Sequence, residues 1–250
     1  MATSLEKLRA EPVLETVHRL QERVAARFPS RGLTHVAGEL VALVEEVAAS
    51  PVTSRGRLHA VRFVAQVLIA VVLAAAGYLF ITAVRDAVAD GPDQGFEWLP
   101  LVENAINDLV FASIAIWFLH SMPERLQRQQ ALALLHRMRS MAHIIDMHQL
   151  TKDPERLRAS FEPTDKSPAP MALTPAELEH YLDYCSEMLS LVSKTAALCA
   201  EESQDAVVLD TVSTIETLTV GMSRKIWQKI EILNATRREL EQEQPGPRPA

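Results

Sequence analysis

The sequence predicts an all-α chain in which a two-span transmembrane helical hairpin is joined to a cytoplasmic helical bundle formed by N- and C-terminal amphipathic helices. Three observations carry that prediction. Apolar residues make up 48% of the 250 residues although 23% are charged, and the charges are nearly absent from two windows and dense elsewhere. Only 8 glycines and 5% aromatic residues accompany abundant Ala, Leu, Glu, Arg and Gln, which favours helix. No alternating run of β-branched and aromatic residues bounded by turn residues marks a strand.

Residues 1–50 read as two amphipathic helices. Leu5, Leu8, Val13, Leu14, Val17, Leu20, Val24 and Phe28 recur at helical spacing, and the pattern resumes after Pro29, Ser30 and Gly32 with Leu33, Val36, Leu40, Leu43, Val44 and Val47. Ser50 and Pro51 end the second helix. The charged N-terminal stretch has no apolar core followed by a cleavage site, so no signal peptide is expected.

Residues 55–121 are read as the membrane hairpin. The window 63–84, FVAQVLIAVVLAAAGYLFITAV, has Gln66 as its only strongly polar member and the length of roughly 20 residues that a bilayer core requires. Small residues at Ala70, Ala74, Ala75, Ala76, Gly77 and Ala83 permit close helix approach. The second window, 101–120, is uninterrupted only from Leu109 to Leu119, so it reaches spanning length by taking in Glu103, Asn104, Asn107 and Asp108. Arg55, Arg57 and Arg62 precede the first span, and Arg125, Arg128, Arg137 and Arg139 follow the second. The short outer loop, 85–100, holds Arg85 alone against Asp86, Asp90, Asp93 and Glu97. That asymmetry predicts a multi-pass protein of the cell (plasma or inner) membrane with both termini cytoplasmic, and Trp98 and Trp117 suit the two interfaces.

Residues 122–160 are expected to continue the second span into the cytoplasm as far as about Leu150, with a kink at Pro123, and Asp153-Pro154 to cap a short helix. A Pro-rich linker occupies 161–172. The region 173–238 reads as a helical hairpin: Thr174 and Glu177 form a capping box, and the stripe from Leu178 to Ala196 is answered by one from Val208 to Leu233. Residues 239–250 are expected to be a disordered tail. Cys185 and Cys199, fourteen residues apart on one helix, are separated by about 21 Å and cannot bridge.

The polar cluster of the second span is the main functional candidate. Glu103 with Asn107 and Asn104 with Asp108 are i,i+4 pairs covering a wedge of about 140°. Repeated in a homo-oligomer, the wedge would make acidic and amide rings at the outer mouth of a cation pathway. The competing reading places Glu103 in the first helical turn at headgroup level. His136, His143 and Asp146 invite a ligand reading, with His148 on another face. The absence of an i,i+4 histidine pair or a neighbouring cysteine argues against a metal, while histidines near basic residues suit an anionic ligand or lipid headgroup. Arg224, Lys225 and Trp227 form a second ligand or partner candidate, against a reading that buries Trp227 beside a solvated basic face.

No phosphate-binding loop, nucleophile elbow or catalytic carboxylate pair occurs, so no enzymatic activity and no cofactor are expected, and the net charge of −7 with both signs dispersed gives no nucleic-acid footprint. The sequence therefore predicts a homo-oligomeric two-span membrane protein, a small cation channel or membrane effector controlled by its cytoplasmic helices. The alternative is a membrane-tethered scaffold or adaptor that docks a cytoplasmic protein partner.

Overall fold

The computed structural model describes residues 7–50, 55–89, 98–157, 161, 162, 164, 173–201 and 203–243. Residues 90–97 of the expected outer loop, 163 and 165–172 of the expected linker, 244–250 of the expected tail, and Leu5 lie outside the described residues. So do the side chains of Arg55, Arg57, Arg62, Ala83, Asp86 and Trp98. Six α-helices and one short 3-10 turn are described, with no strand among the described residues. They are α1 (Ala10–Arg27), α2 (Gly32–Ala49), α3 (Arg55–Ala89), α4 (Trp98–Leu150), the 3-10 turn (Pro154–Leu157), α5 (Pro175–Ala200) and α6 (Ala206–Glu243). Two compact units emerge, one made of residues 1–53 and 131–250, the other of 54–130.

The start of α1 shows backbone chemistry overriding a side-chain stripe. Leu8 precedes the helix and is exposed. Pro12 occupies the first turn, where its missing N–H costs nothing; a helix begun one turn earlier would set its ring against a carbonyl four residues back. From Ala10 the stripe behaves as its spacing requires, burying Val13, Val17, Leu20 and Val24. The turn to α2 is held by Thr34, whose Oγ1 donates to the Phe28 carbonyl at 2.6 Å. His18 lies 3.2 Å from Glu45, and a Cβ on Gly38 would meet Gln21, so α1 and α2 run antiparallel.

Helix α5 is the centre of the larger unit. Its capping box forms as its sequence requires: Thr174 Oγ1 accepts from the Glu177 N–H at 3.2 Å, and the Glu177 carboxylate accepts from the Thr174 N–H at 2.7 Å. Leu173 and Leu178, at the positions a hydrophobic staple uses, are both buried. Beyond the expected stripe, Tyr184, Leu191, Thr195, Leu198 and Cys199 are buried as well, so α5 has protein on more than one side. On one side lies α1, where Phe28 meets Tyr181 and Tyr184 edge-on at 5.5 and 6.2 Å between centroids and Arg23 pairs with Glu187. On another lies α6, which Asp205 starts by accepting from the Val207 N–H at 2.9 Å. Arg237 near the end of α6 reaches Glu179 near the start of α5 at 3.1 Å, which requires the two helices to be antiparallel. Five residues thought to open the tail, 239–243, remain helical because Arg-Arg-Glu-Leu-Glu-Gln is good helix-forming sequence with nothing to stop it.

Helix α4 runs unbroken for 53 residues through Pro123 and changes surroundings along its length. From Ala131 to Ile145, the side chains Ala131, Leu134, Leu135, Met138, Met141, Ala142 and Ile145 join the core built by α1, α2, α5 and α6. Arg137 pairs with Glu46, while His148 abuts Gly32, so this part of α4 runs antiparallel to α2.

The smaller unit contains the apolar parts of α3 and α4. Both helices are long and apolar enough to cross a membrane: Phe63–Thr82 has a mean hydropathy of 2.4, and the window within Val102–Leu157 reaches 1.4. Neither window is buried, and Phe63, Tyr78, Leu109 and Phe111 are all more than 60% exposed. Such apolar surface is stable only against lipid or other protein.

Candidate functional site

The polar wedge occupies the first third of α4. Glu103, Asn104, Asn107 and Asp108 are all exposed, and none has a hydrogen bond or ion pair among the described residues. Below them on the helix, Ser113 satisfies itself by donating to the Leu109 carbonyl at 2.7 Å. Trp117 is exposed, and the Arg125 guanidinium stands 5.4 Å from its ring centroid. A basic residue over an amphipathic ring is the pairing found where a span meets headgroups. At Gly77 of α3 an added Cβ would meet nothing within 4 Å, so that small-residue face is open within the chain.

The histidine cluster does not assemble as its spacing suggests. His136 and His143 project from α4 and are exposed, whereas Asp146 is half-buried and accepts from Gln149 Nε2 at 2.7 Å. No group of three or more His, Cys, Asp or Glu side chains able to hold a metal ion occurs among the described residues. His148, set aside in the sequence because it points elsewhere on the helix, is the member that meets another element. It lies against Gly32 at the start of α2, in a recess with Arg31, Thr151, Lys152 and Tyr181.

Arg224, Lys225 and Trp227 are exposed on α6. The reading that buries Trp227 is overturned, since it is 57% exposed. The buried stripe of α6 is Met222, Ile226, Ile230 and Leu233, and Trp227 stands about 100° around the helix from Ile226. Trp227 and Arg224 instead line an open groove of about 510 Å³ between α5 and α6, with Val220, Lys194, Ser190 and Ser223. Lys194 Nζ donates to Ser190 Oγ at 2.8 Å, one turn away on α5.

Both cysteines are buried and free. Burial pushes each thiol up to about 12, which leaves them as inert apolar residues. The contact that sequence reasoning missed is Lys229. Its Nζ donates to the carbonyls of Gln149 at 2.7 Å and Lys152 at 3.1 Å, closing the C-terminal end of α4 from α6. Compared with protein-family models, curated proteins and solved structures, the chain matches none.

Proposed function

We propose that this chain is a two-span protein of the cell membrane, with both termini cytoplasmic, that assembles in several copies around the polar wedge of α4 to form a small cation pathway. The observation that carries this reading is the exposure of Asp108 together with Glu103 and Asn107 on one side of the otherwise apolar 101–120 window of α4. A lone carboxylate at the centre of a span costs about 2.5–3.5 kcal/mol in lipid, a cost that facing copies and enclosed water remove. At 100° per residue the same face continues inward as Phe111, Ile114, Ala115 and Phe118. A polar mouth leading to an apolar constriction is the arrangement by which narrow pores select cations and gate by dewetting. The basic flanks of the two windows support the orientation, and the larger helical unit would then lie in the cytoplasm as the controlling domain.

Purified protein in planar bilayers is expected to pass cation-selective current, and Glu103→Gln with Asp108→Asn to lower that selectivity. Wild-type protein that conducts nothing, or a double variant with unchanged currents, overturns the proposal. A second reading, a membrane-tethered adaptor that docks a protein partner, is favoured by the exposed Trp227 and Val220 beside Arg224. Its test is recovery of a stoichiometric partner after gentle solubilisation; a pure homo-oligomer counts against it.

A further inference from the structure

Two distant stretches of the chain bring three basic side chains to one recess in the larger unit. The α1–α2 turn supplies Arg31 and Gly32, and the end of α4 with the residues after it supplies His148, Thr151 and Lys152. Tyr181 of α5 forms one wall. The recess holds about 380 Å³, and no carboxylate is among the residues lining it. Lys152 Nζ stands 5.5 Å from the Tyr181 ring centroid, and neither Lys152 nor His148 has an ion pair among the described residues.

The recess is shaped by backbone choices as well as by charge. A Cβ on Gly32 would lie 2.8 Å from His148 Cε1, so the imidazole occupies space that only glycine leaves. Gly32 opens α2, whose preceding residue Arg31 is extended and gives no side-chain cap to the first turn. That leaves the positive end of an 18-residue helix at the rim. The opposing influence would be the carbonyl end of α4, but Lys229 occupies the Gln149 and Lys152 carbonyls. The electrostatics agree: burial first, then Lys152 and His35, hold His148 below its ordinary value of 6.5. Burial first and then Arg31 hold Lys152 below 10.5 against an opposing influence of Cys185, with Arg156 adding the least. The cations raise one another's cost, which an anion would relieve.

We propose that this recess binds a phosphoryl group, presented by a soluble phosphate or phosphate ester or by an anionic lipid headgroup. Lys152 offers a point charge, Thr151 a hydroxyl donor and protonated His148 a second cation, while the Arg31 charge adds to the positive field of the recess. The volume exceeds that of a bare phosphate, which leaves room for the organic part of an ester beside Met147 and Tyr181. The site does not depend on the existence of a pore.

The test uses full-length protein with labelled histidine, in neutral detergent and in phosphatidylcholine nanodiscs, following the His148 ring signal assigned by His148→Gln. Inorganic phosphate is titrated in one arm, and phosphatidic acid is incorporated into the nanodiscs in the other. Binding is expected to be saturable, to raise the pH at which His148 titrates, and to weaken at least tenfold in Lys152→Met. It should tighten as pH falls through the His148 midpoint, where the groups facing it are Arg31, Lys152, His35 and Tyr181. Response to free phosphate identifies a soluble ligand, and response to phosphatidic acid alone identifies a lipid; either supports the proposal. Should Lys152→Met unfold, Lys152→Gln with an unchanged circular dichroism spectrum carries the same expectation. Absence of a saturable shift in both arms, or an equal loss in the control Lys225→Met, overturns it.

Discussion

Leu109 and Leu135 lie on the same helix in opposite surroundings, the first 67% exposed and the second 0%. Truncating Leu135 to Ala empties space in the core beside Leu134 and Met138, and a Leu→Ala change at such a site costs about 3 kcal/mol within a range of about 2–5. For a unit of this size that is a fall in Tm of about 6–12 °C, at about 2–4 °C per kcal/mol. Leu109→Ala removes no contact from that core and should move its unfolding by less than about 0.5 kcal/mol. If the first half of α4 enters lipid as proposed, the change weakens insertion by about 0.5 kcal/mol, since a leucine favours insertion by about 0.3–0.6 kcal/mol at the centre of a span. Circular dichroism melts in detergent measure the first quantity, and the inserted fraction in a microsomal translation assay the second. A Leu109→Ala melt depressed as far as that of Leu135→Ala would show that the first half of α4 is packed inside protein, and would refute its assignment to the bilayer.

Thr174→Ala should cost about 1 kcal/mol, read in the same melts, by removing the N-cap of α5. The other half of the box, the bond from the Thr174 amide, holds the Glu177 carboxyl below its usual range, so the stability from that bond is present above pH 4.5 and fades as pH falls through the folded midpoint. Because His148 titrates below 6.5 in the fold, the unfolded chain takes up that proton first. Stability present above 6.5 is lost as pH falls through the folded midpoint, and His148→Gln should flatten that part of a pH–Tm profile. With both thiols near 12, Cys185 and Cys199 should stay unmodified by a thiol reagent at pH 8 until denaturant is added; labelling of the native protein would contradict their burial.

Local rules made much of the helical layout legible. The Thr174–Glu177 box, the Ser50 stop and the stripes of α5 and α6 each depend on residues within a few positions of one another, and those are the relations a sequence displays directly. The start of α1 was misread: the stripe was carried back through Leu8, which precedes the helix, because the steric veto of Pro12 in the first turn was not weighed against it. Trp227 failed for a geometric reason, since one step along a helix is a quarter-turn away from the core and amphipathic rings are stable on either side of that boundary. The recess around His148 was hidden because Arg31 and Lys152 meet only through the packing of α2 against α4. The histidine that mattered was the one off the expected face. Lys229 reached the carbonyls of α4 by the same kind of long-range closure.

The core of the larger unit is drawn from both sides of the two apolar spans, and this gives the fold an order in time. When α2 leaves the ribosome, the partners of Val17, Leu33 and Val44 in α4 and α5 have not been made. About 150 residues, including both apolar helices, separate the end of α2 at Ala49 from the end of α5 at Ala200, which at about 5–20 residues per second is about 8–30 s. For that interval the α1–α2 pair must wait with an open apolar face, and the core can close only after both apolar helices have been made. On the proposed membrane reading, a defect in insertion would therefore surface first as a water-facing fault, an α1–α2 hairpin left uncovered.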